Sequence, residues 1–467
     1  MPRREIYLLS SRALAPETIA VAFAKTSRSP DSFRQIAAEL SDEKSAQFHE
    51  KWVVGYGHAS VAEHAVLHIA LENVSRVAVE AIESNRLASY TEKSTRYQKW
   101  QAGSFATPPE LENSPLRATF SQSAQRLFDT YLRSLEPVKK LVTQESPRRA
   151  NESDEAYDRR IRSQYVDSCR FLLPAASLAN LGMTANGRVI ENALRKLLSH
   201  PLAEVRQIGE EMKQAARAEI PTLVKYAEEV PYLRETSAEL TRLADSLPSA
   251  PAGAETCQLV EYTRDGEQRI LAAALYRFGG MGYTQALAAV ASAPETQRRA
   301  WAAALLGRLG RFDTPLREME YARYTFDLLM DQGAYAEFKR HRMMTQTPQA
   351  LTCRLGYAVP RRIVEAGFEA DYRAAMDAAG ESYEKLAAEN PLVAQYIVPN
   401  GFNRRVLAQF NLREAFAFCQ LRAAPNAHFS IRRVAQKMAQ EIRRVHPLLM
   451  TYLPLPDEPG LENELTK

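Results

Sequence analysis

In the stretch YAEFKRHRMMTQT, residues 335 to 347, Arg340, His341 and Arg342 stand side by side behind an amphipathic run. Guanidinium groups match phosphate oxygens through bidentate, charge-assisted hydrogen bonds, so fixed cations gathered at one point suit an anionic ligand. The same three residues also suit an exposed helix end, where cations complement the helix dipole. A second stretch, SNRLASYTEKSTRY from Ser84 to Tyr97, supplies Arg86, Ser89, Glu92, Ser94 and Arg96 in the same order of functional types.

The elements that must position these residues occur twice. Pro174 precedes Asn186 by twelve residues, with Arg188 two further on, and Pro399 precedes Asn411 by twelve, with Arg413 two further on. Each occurrence reads as an apolar step, a loop and a helix. Upstream, EHAVLHIALENVSRVAVEAIESNR in the first half corresponds to EMEYARYTFDLLMDQGAYAEFKRHR in the second. There Tyr324, Phe326 and Leu328 alternate with Arg323, Thr325 and Asp327, the period of a half-buried strand, and a helical run follows.

The predicted fold class is therefore α/β of the α+β type: two tandem, helix-rich copies of a mixed sheet-and-helix unit. No GxGxxG fingerprint is present, so a Rossmann site is not expected. SLPSAPAGAE, from Ser246 to Glu255, has the composition of a linker. The expected division is a first repeat over 1–240, a linker over 241–256 and a second repeat over 257–460. A charged segment near 145–163 without a long counterpart reads as a solvated helix or insertion.

Composition narrows the classes. Sixty basic against 56 acidic residues leave a net charge of +4, too mild to argue for nucleic acid. The apolar run near the N-terminus, Ile6 to Leu9, is too short for a signal peptide, and no stretch approaches a membrane span, so the expected home is the cytoplasm. Cys169, Cys257, Cys353 and Cys419 are scattered without a CxxC pair and read as ordinary thiols. His58, Glu63, His64 and His68 suggest metal ligation, but the segment reads more as a strand than a helix, and no metal is expected.

The runs GHASVAEHAVLHIALENVSRV and NRLASYTEKSTRY resemble the flavin-dependent thymidylate synthases, whose signature reads RHRxxSxxxxSxR. Downstream that family has an arginine four residues before a Leu-Pro step, an N-x-R helix and a Leu-Arg pair, and the likeness spans most of both halves, as a tandem duplication of the unit. Neither copy is complete. The first keeps Arg86, Ser89, Glu92, Ser94 and Arg96, with Ser84 and Asn85 in place of the leading Arg-His. The second keeps Arg340, His341 and Arg342, but has Ala350 and Thr352 at the later Ser and Arg positions unless a shift of two brings in Thr352 and Arg354. Arg170 stands before Pro174 where the second half has Gln395, and Arg422 has Lys196 as its counterpart, one residue out of step.

The resemblance implies a nucleotide pocket shared across the two halves, with Ser94, Arg96 and Arg170 from the first and Arg340 and Arg422 from the second, and a damaged reciprocal. Arg96 and Arg170 would hold phosphate; Arg340 and Arg422 would act in catalysis, Arg422 by polarising a uracil carbonyl. FAD would be held by His64, Arg86, Ser89, Glu92, Asn186, Arg188, His341, Arg342, Asn411 and Arg413. The implied reaction converts dUMP to dTMP with methylenetetrahydrofolate and NADPH as co-substrates; the alternative is a repurposed flavin- or nucleotide-binding paralogue that has lost methyl transfer. Two chains would pair as a homodimer that mimics a tetramer of single units. Asn186 and Asn411 are also ordinary turn residues, and Ser94 and Arg96 suit the polar face of a strand.

Overall fold

The computed structural model describes residues 5–27, 29–55, 59–247, 256–310, 312–456 and 461–466; His58 and 248–255 of the linker segment lie outside the described residues. In chain order the strands are β1 (Val66–Ser75), β2 (Ser89–Glu92), β3 (Leu178–Asn186), β4 (Cys257–Tyr262), β5 (Arg323–Asp331), β6 (Thr345–Pro348), the two-residue β7 (Val359–Pro360), β8 (Asn403–Asn411) and the two-residue β9 (Leu465–Thr466). They form antiparallel sheets in the orders β1-β3-β2 and β4-β5-β8-β6, with β7 and β9 as a separate pair. Helices cover the inner faces, so the protein is mixed α/β and helix-rich, without a Rossmann sheet. Among the described residues no helix is long and apolar enough to cross a membrane.

β5 carries the alternation seen in the sequence: Tyr324, Phe326 and Leu328 are fully buried. The expectation of a loop before each N-x-R helix is corrected, because these segments are β3 and β8, the strands on which each sheet is built. Ala179, Leu181, Met183 and Ala185 point inward on β3, while Asn180 and Gly182 occupy the outer face. Small and polar residues on that face disguise a period-2 strand as a turn. The segment containing His64 is divided as well: Ala59–His64 is a short 3-10 turn, and β1 begins at Val66.

The two halves obey one register. Val66 pairs with Asn186 and Arg323 with Asn411; Ser89 pairs with Thr184 and Thr345 with Gln409. At the ends of β1 and β5, Ser75 and Asp331 cap the helices Arg76–Glu83 and Gln332–Phe338, accepting from the N–H groups of Ala78 and Ala334. At the ends of β3 and β8, Asn186 and Asn411 do the same for Gly187–Leu198 and Leu412–Arg422, accepting from Val189 and Glu414.

Equivalent segments also meet each other. Pro174 and Pro399 form an antiparallel bridge; the Ala175 N–H donates to the Val398 carbonyl at 2.9 Å, and the Asn400 N–H to the Leu173 carbonyl at 3.0 Å. This reciprocity places a pseudo-two-fold axis between the prolines. Glu83 and Lys339, at equivalent positions where the capped helices end, form a buried ion pair at 2.7 Å across the same axis.

The cores interlock. Residues 351–402 pack with the first half, where Tyr372, Met376 and Phe402 join Phe128, Tyr131 and Phe171. Each such buried side chain contributes roughly 1.5–3 kcal/mol relative to exposure, so the halves are held as one body. The remaining core lies beneath the β4-β5-β8-β6 sheet.

Candidate functional site

Three arginines from distant parts of the chain converge beside the pseudo-axis. Arg96 sits in the loop after β2, where its own N–H donates to the Ser94 hydroxyl at 3.2 Å and fixes the turn. Arg170 follows the helix Asp154–Cys169 and is 2% exposed. Arg422 ends the helix Leu412–Arg422 in the other half.

Two carboxylates tie them together. Asp167, one helical turn before Arg170, accepts from Arg96 at 3.2 Å and is ion-paired with Arg170 at 2.9 Å, and its other oxygen meets His428 Nδ1 at 2.8 Å. Glu337, on the capped helix Gln332–Phe338, lies 3.4 Å from Arg96, 4.0 Å from Arg170 and 2.8 Å from Arg422. Thr95 accepts from Arg170 at 3.1 Å. Asp331, buried and acting on Arg170, is a third carboxylate, so the three guanidiniums face three carboxylates in a site that excludes most water.

Electrostatics follow this geometry. Burial alone would raise the Asp167 carboxyl, but His428, Arg170 and Arg96 outweigh it and hold it well below the usual carboxylate range. Burial pushes the guanidiniums of Arg170 and Arg422 down, whereas at Arg96 it is overcome by Asp167 and Glu337. Arg422 Nε donates to His341 Nε2 at 3.0 Å, so the His341 proton lies on Nδ1, which donates to Glu414 at 3.0 Å. That chain aims the Arg422 guanidinium.

Arg340 is half exposed and lies 3.7 Å from the buried Glu92, which is also paired with Arg76 at 2.7 Å. Burial opposes the charge on Glu92, but Arg76, Lys339 and Arg340 keep it below its ordinary value. The structure thus gathers Ser94, Arg96, Arg170, His341 and Arg422 into one cluster with Arg340 and Glu92 at its border. Asp167, Glu337, Glu414 and His428 were missed from the sequence. Asp167 alone carried a local signal, the i to i+3 spacing to Arg170.

The other residues expected at the cofactor lie elsewhere. Arg188 pairs with Glu63 at 2.6 Å beside His64, whose ring is 4.9 Å from that of Phe23 in a cleft of about 640 Å³ also lined by Phe48 and Trp52. Arg86 and Arg342 meet at a separate cavity, Arg342 donating to the Arg86 carbonyl at 2.8 Å. Ser89 is on the exposed face of β2. Arg413 is held by the Pro315 carbonyl and Glu320, both at 2.9 Å, and Asn186 and Asn411 are helix caps. Among the described residues no cluster of His, Cys, Asp or Glu could hold a metal ion, and the four cysteines form no disulfide.

The second half repeats the loop without its cation. Thr352 accepts from the Arg354 N–H at 3.1 Å, as Ser94 does from Arg96, but Arg354 turns outward to Glu384 at 2.7 Å. Lys196 donates to Asn85 at 3.2 Å, the counterpart of the Arg422 and His341 contact.

A family model described as thymidylate synthase complementing protein matches residues 8–222 and again 258–448. A UPF0159 protein of Chlamydia muridarum is 33% identical over 436 residues, which cover 90% of this chain and 82% of that protein. A flavin-dependent thymidylate synthase of Clostridium tetani is 27% identical over 217 residues, covering 45% of this chain and 82% of its own length. Among solved structures, the UMP/dUMP methylase PolB from Streptomyces cacaoi bound with 5-Br dUMP is 16% identical and covers 42% of this chain and 93% of that one, with a TM-score of 0.34.

Proposed function

The chain belongs to the thymidylate synthase complementing protein family in both of its halves, and on that premise we propose that it is a flavin-dependent enzyme methylating dUMP to dTMP at one pocket composed from the two repeats. The observation that carries this reading is the convergence of Arg96 and Arg170 from the first half with Arg422 from the second. A nucleotide monophosphate carries close to two negative charges, which guanidiniums match bidentately. Arg96 and Arg170 hold the phosphate; Arg422, aimed by His341 and Glu414, stabilises negative charge developing at a ring carbonyl. No protein nucleophile is assigned, and Ser94 shapes the loop that presents Arg96.

The aromatic cleft of Phe23, Phe48, Trp52 and His64 fits a planar heterocycle, and these residues, with Arg188 held by the neighbouring Glu63, would hold FAD. Bound flavin supplies hydride, with NADPH as reductant and methylenetetrahydrofolate as methylene donor. In this reading the repeats, 1–240 and 257–460, form the pseudo-dimer within one chain, two chains make a pseudo-tetramer, and the protein works in the cytoplasm. The test is incubation of FAD-saturated protein with dUMP, methylenetetrahydrofolate and NADPH, with dTMP sought by mass; its absence while FAD is bound rejects methyl transfer.

One feature favours a repurposed nucleotide-binding protein: Glu337 already fills the point where the arginines meet, whereas its counterpart in the first half is Ala81. Releasing that counter-ion tests whether Glu337 competes with phosphate. Glu337→Gln is expected to tighten dUMP binding by about tenfold, since like charge near the phosphate is removed while an acceptor for Arg422 remains. Weaker dUMP binding in calorimetry would make Glu337 a positioning partner of the arginines rather than a competitor of phosphate.

A further inference from the structure

Where the arginine cluster is filled, its pseudo-symmetric counterpart is open. A cavity of about 380 Å³ is lined by Arg86, Lys196, His200, Lys339, Arg342 and Gln395. Gln395 stands there in the place of Arg170, and Lys196 in that of Arg422. Lys339 is neutralised by Glu83. The other three cations have no carboxylate partner among the described residues. Arg86 donates to the Thr345 hydroxyl at 3.1 Å, Arg342 to the Arg86 carbonyl at 2.8 Å and Lys196 to Asn85 at 3.2 Å.

Two carboxylates also line the cavity, but Glu83 is held by Lys339 and Glu80 by Arg404 at 2.8 Å, so the three remaining cations repel one another. Burial, with the Arg86 charge added, holds the Lys196 ammonium below the usual lysine range. His200 contributes a neutral donor: burial pushes it down to about 4, and its Nδ1 accepts from the Leu202 N–H at 3.2 Å, so its proton lies on Nε2. Val77, Leu197 and Met344 give the cavity an apolar wall.

We propose that this cavity is a second ligand site, separate from the nucleotide pocket, that binds a small molecule carrying two or more negative charges on a partly apolar body. The pair of phosphate-holding arginines is absent here, because Gln395 and the outward Arg354 replace Arg170 and Arg96, so the ligand is an effector rather than a second methyl acceptor. Lys339 and Arg342 flank Arg340 and His341 in the chain, which joins the site physically to the arginine cluster.

The experiment is calorimetric titration of the full chain with inorganic pyrophosphate and, in parallel, with citrate. The expected result is one saturable site per chain that survives Arg96→Gln and weakens roughly ten- to a hundredfold in Lys196→Met and in Arg342→Gln, each change removing one charge-assisted contact. Tighter pyrophosphate assigns a phosphorylated ligand, and tighter citrate a polycarboxylate. Arg342 is solvent-accessible, so its variant keeps the test valid if Lys196→Met fails to fold. No saturable binding of either probe, binding lost in Arg96→Gln but kept in Lys196→Met, or binding abolished by saturating FAD would each overturn the proposal.

Discussion

Arg96→Ala and Arg422→Ala should each weaken dUMP binding by roughly 2–5 kcal/mol, the cost of truncating one partner of a buried, hydrogen-bonded charge pair. Thr352→Ala, Arg354→Ala and Lys196→Ala, at or beside the positions equivalent by duplication, should each change it by less than about 0.5 kcal/mol. The asymmetry follows from geometry. Arg96 and Arg422 reach the same carboxylate, Glu337, from opposite halves, whereas Arg354, two residues after Thr352, is turned to Glu384 on the surface. Equal losses at both sets would show two working pockets per chain and would sink the composite single-pocket reading. Arg96→Lys separates charge from shape: a lysine keeps the charge but loses the fork that spans Asp167, Glu337 and the Asn426 carbonyl, so it should recover only part of the loss.

What the sequence revealed about this site depended on the duplication. Arg340, His341 and Arg342 alone read as a helix end; set beside Arg86, Ser94 and Arg96 they read as two halves of one motif. Strand β5 was legible because Tyr324, Phe326 and Leu328 alternate with polar residues, while β3 and β8 were not, since glycine, asparagine and arginine occupy their outer faces and sheet neighbours, not propensity, make them strands. The carboxylates of the cluster were hidden for a different reason. Asp167 and Glu337 are 170 residues apart in sequence, and a buried counter-ion has no pattern of its own until the fold brings its cations to it.

That hidden counter-ion carries the second large effect. Asp167→Asn should destabilise the protein by about 3–5 kcal/mol, the range for breaking a buried ion pair from one side. Arg170 is 2% exposed and would keep its charge with Glu337, at 4.0 Å, and the Asp331 carboxylate as its remaining counter-ions. An exposed pair gives the contrast: Asp371→Asn, which removes the partner of Arg133 on the surface, should cost no more than about 1 kcal/mol. The gap between wild type and Asp167→Asn should also depend on pH. Arg96, Arg170 and His428 face Asp167 and hold its folded pKa below the unfolded value of about 3.9, so its contribution is complete above that pH and is lost progressively as pH falls from there through the lower folded value. Urea midpoints should therefore separate the two proteins at neutral pH and converge below about pH 4. A gap that stays constant into acid would mean that the asparagine acts through lost packing rather than lost charge, and Asp167 would then be a hydrogen-bonding scaffold for Arg96 and Arg170 rather than their counter-ion.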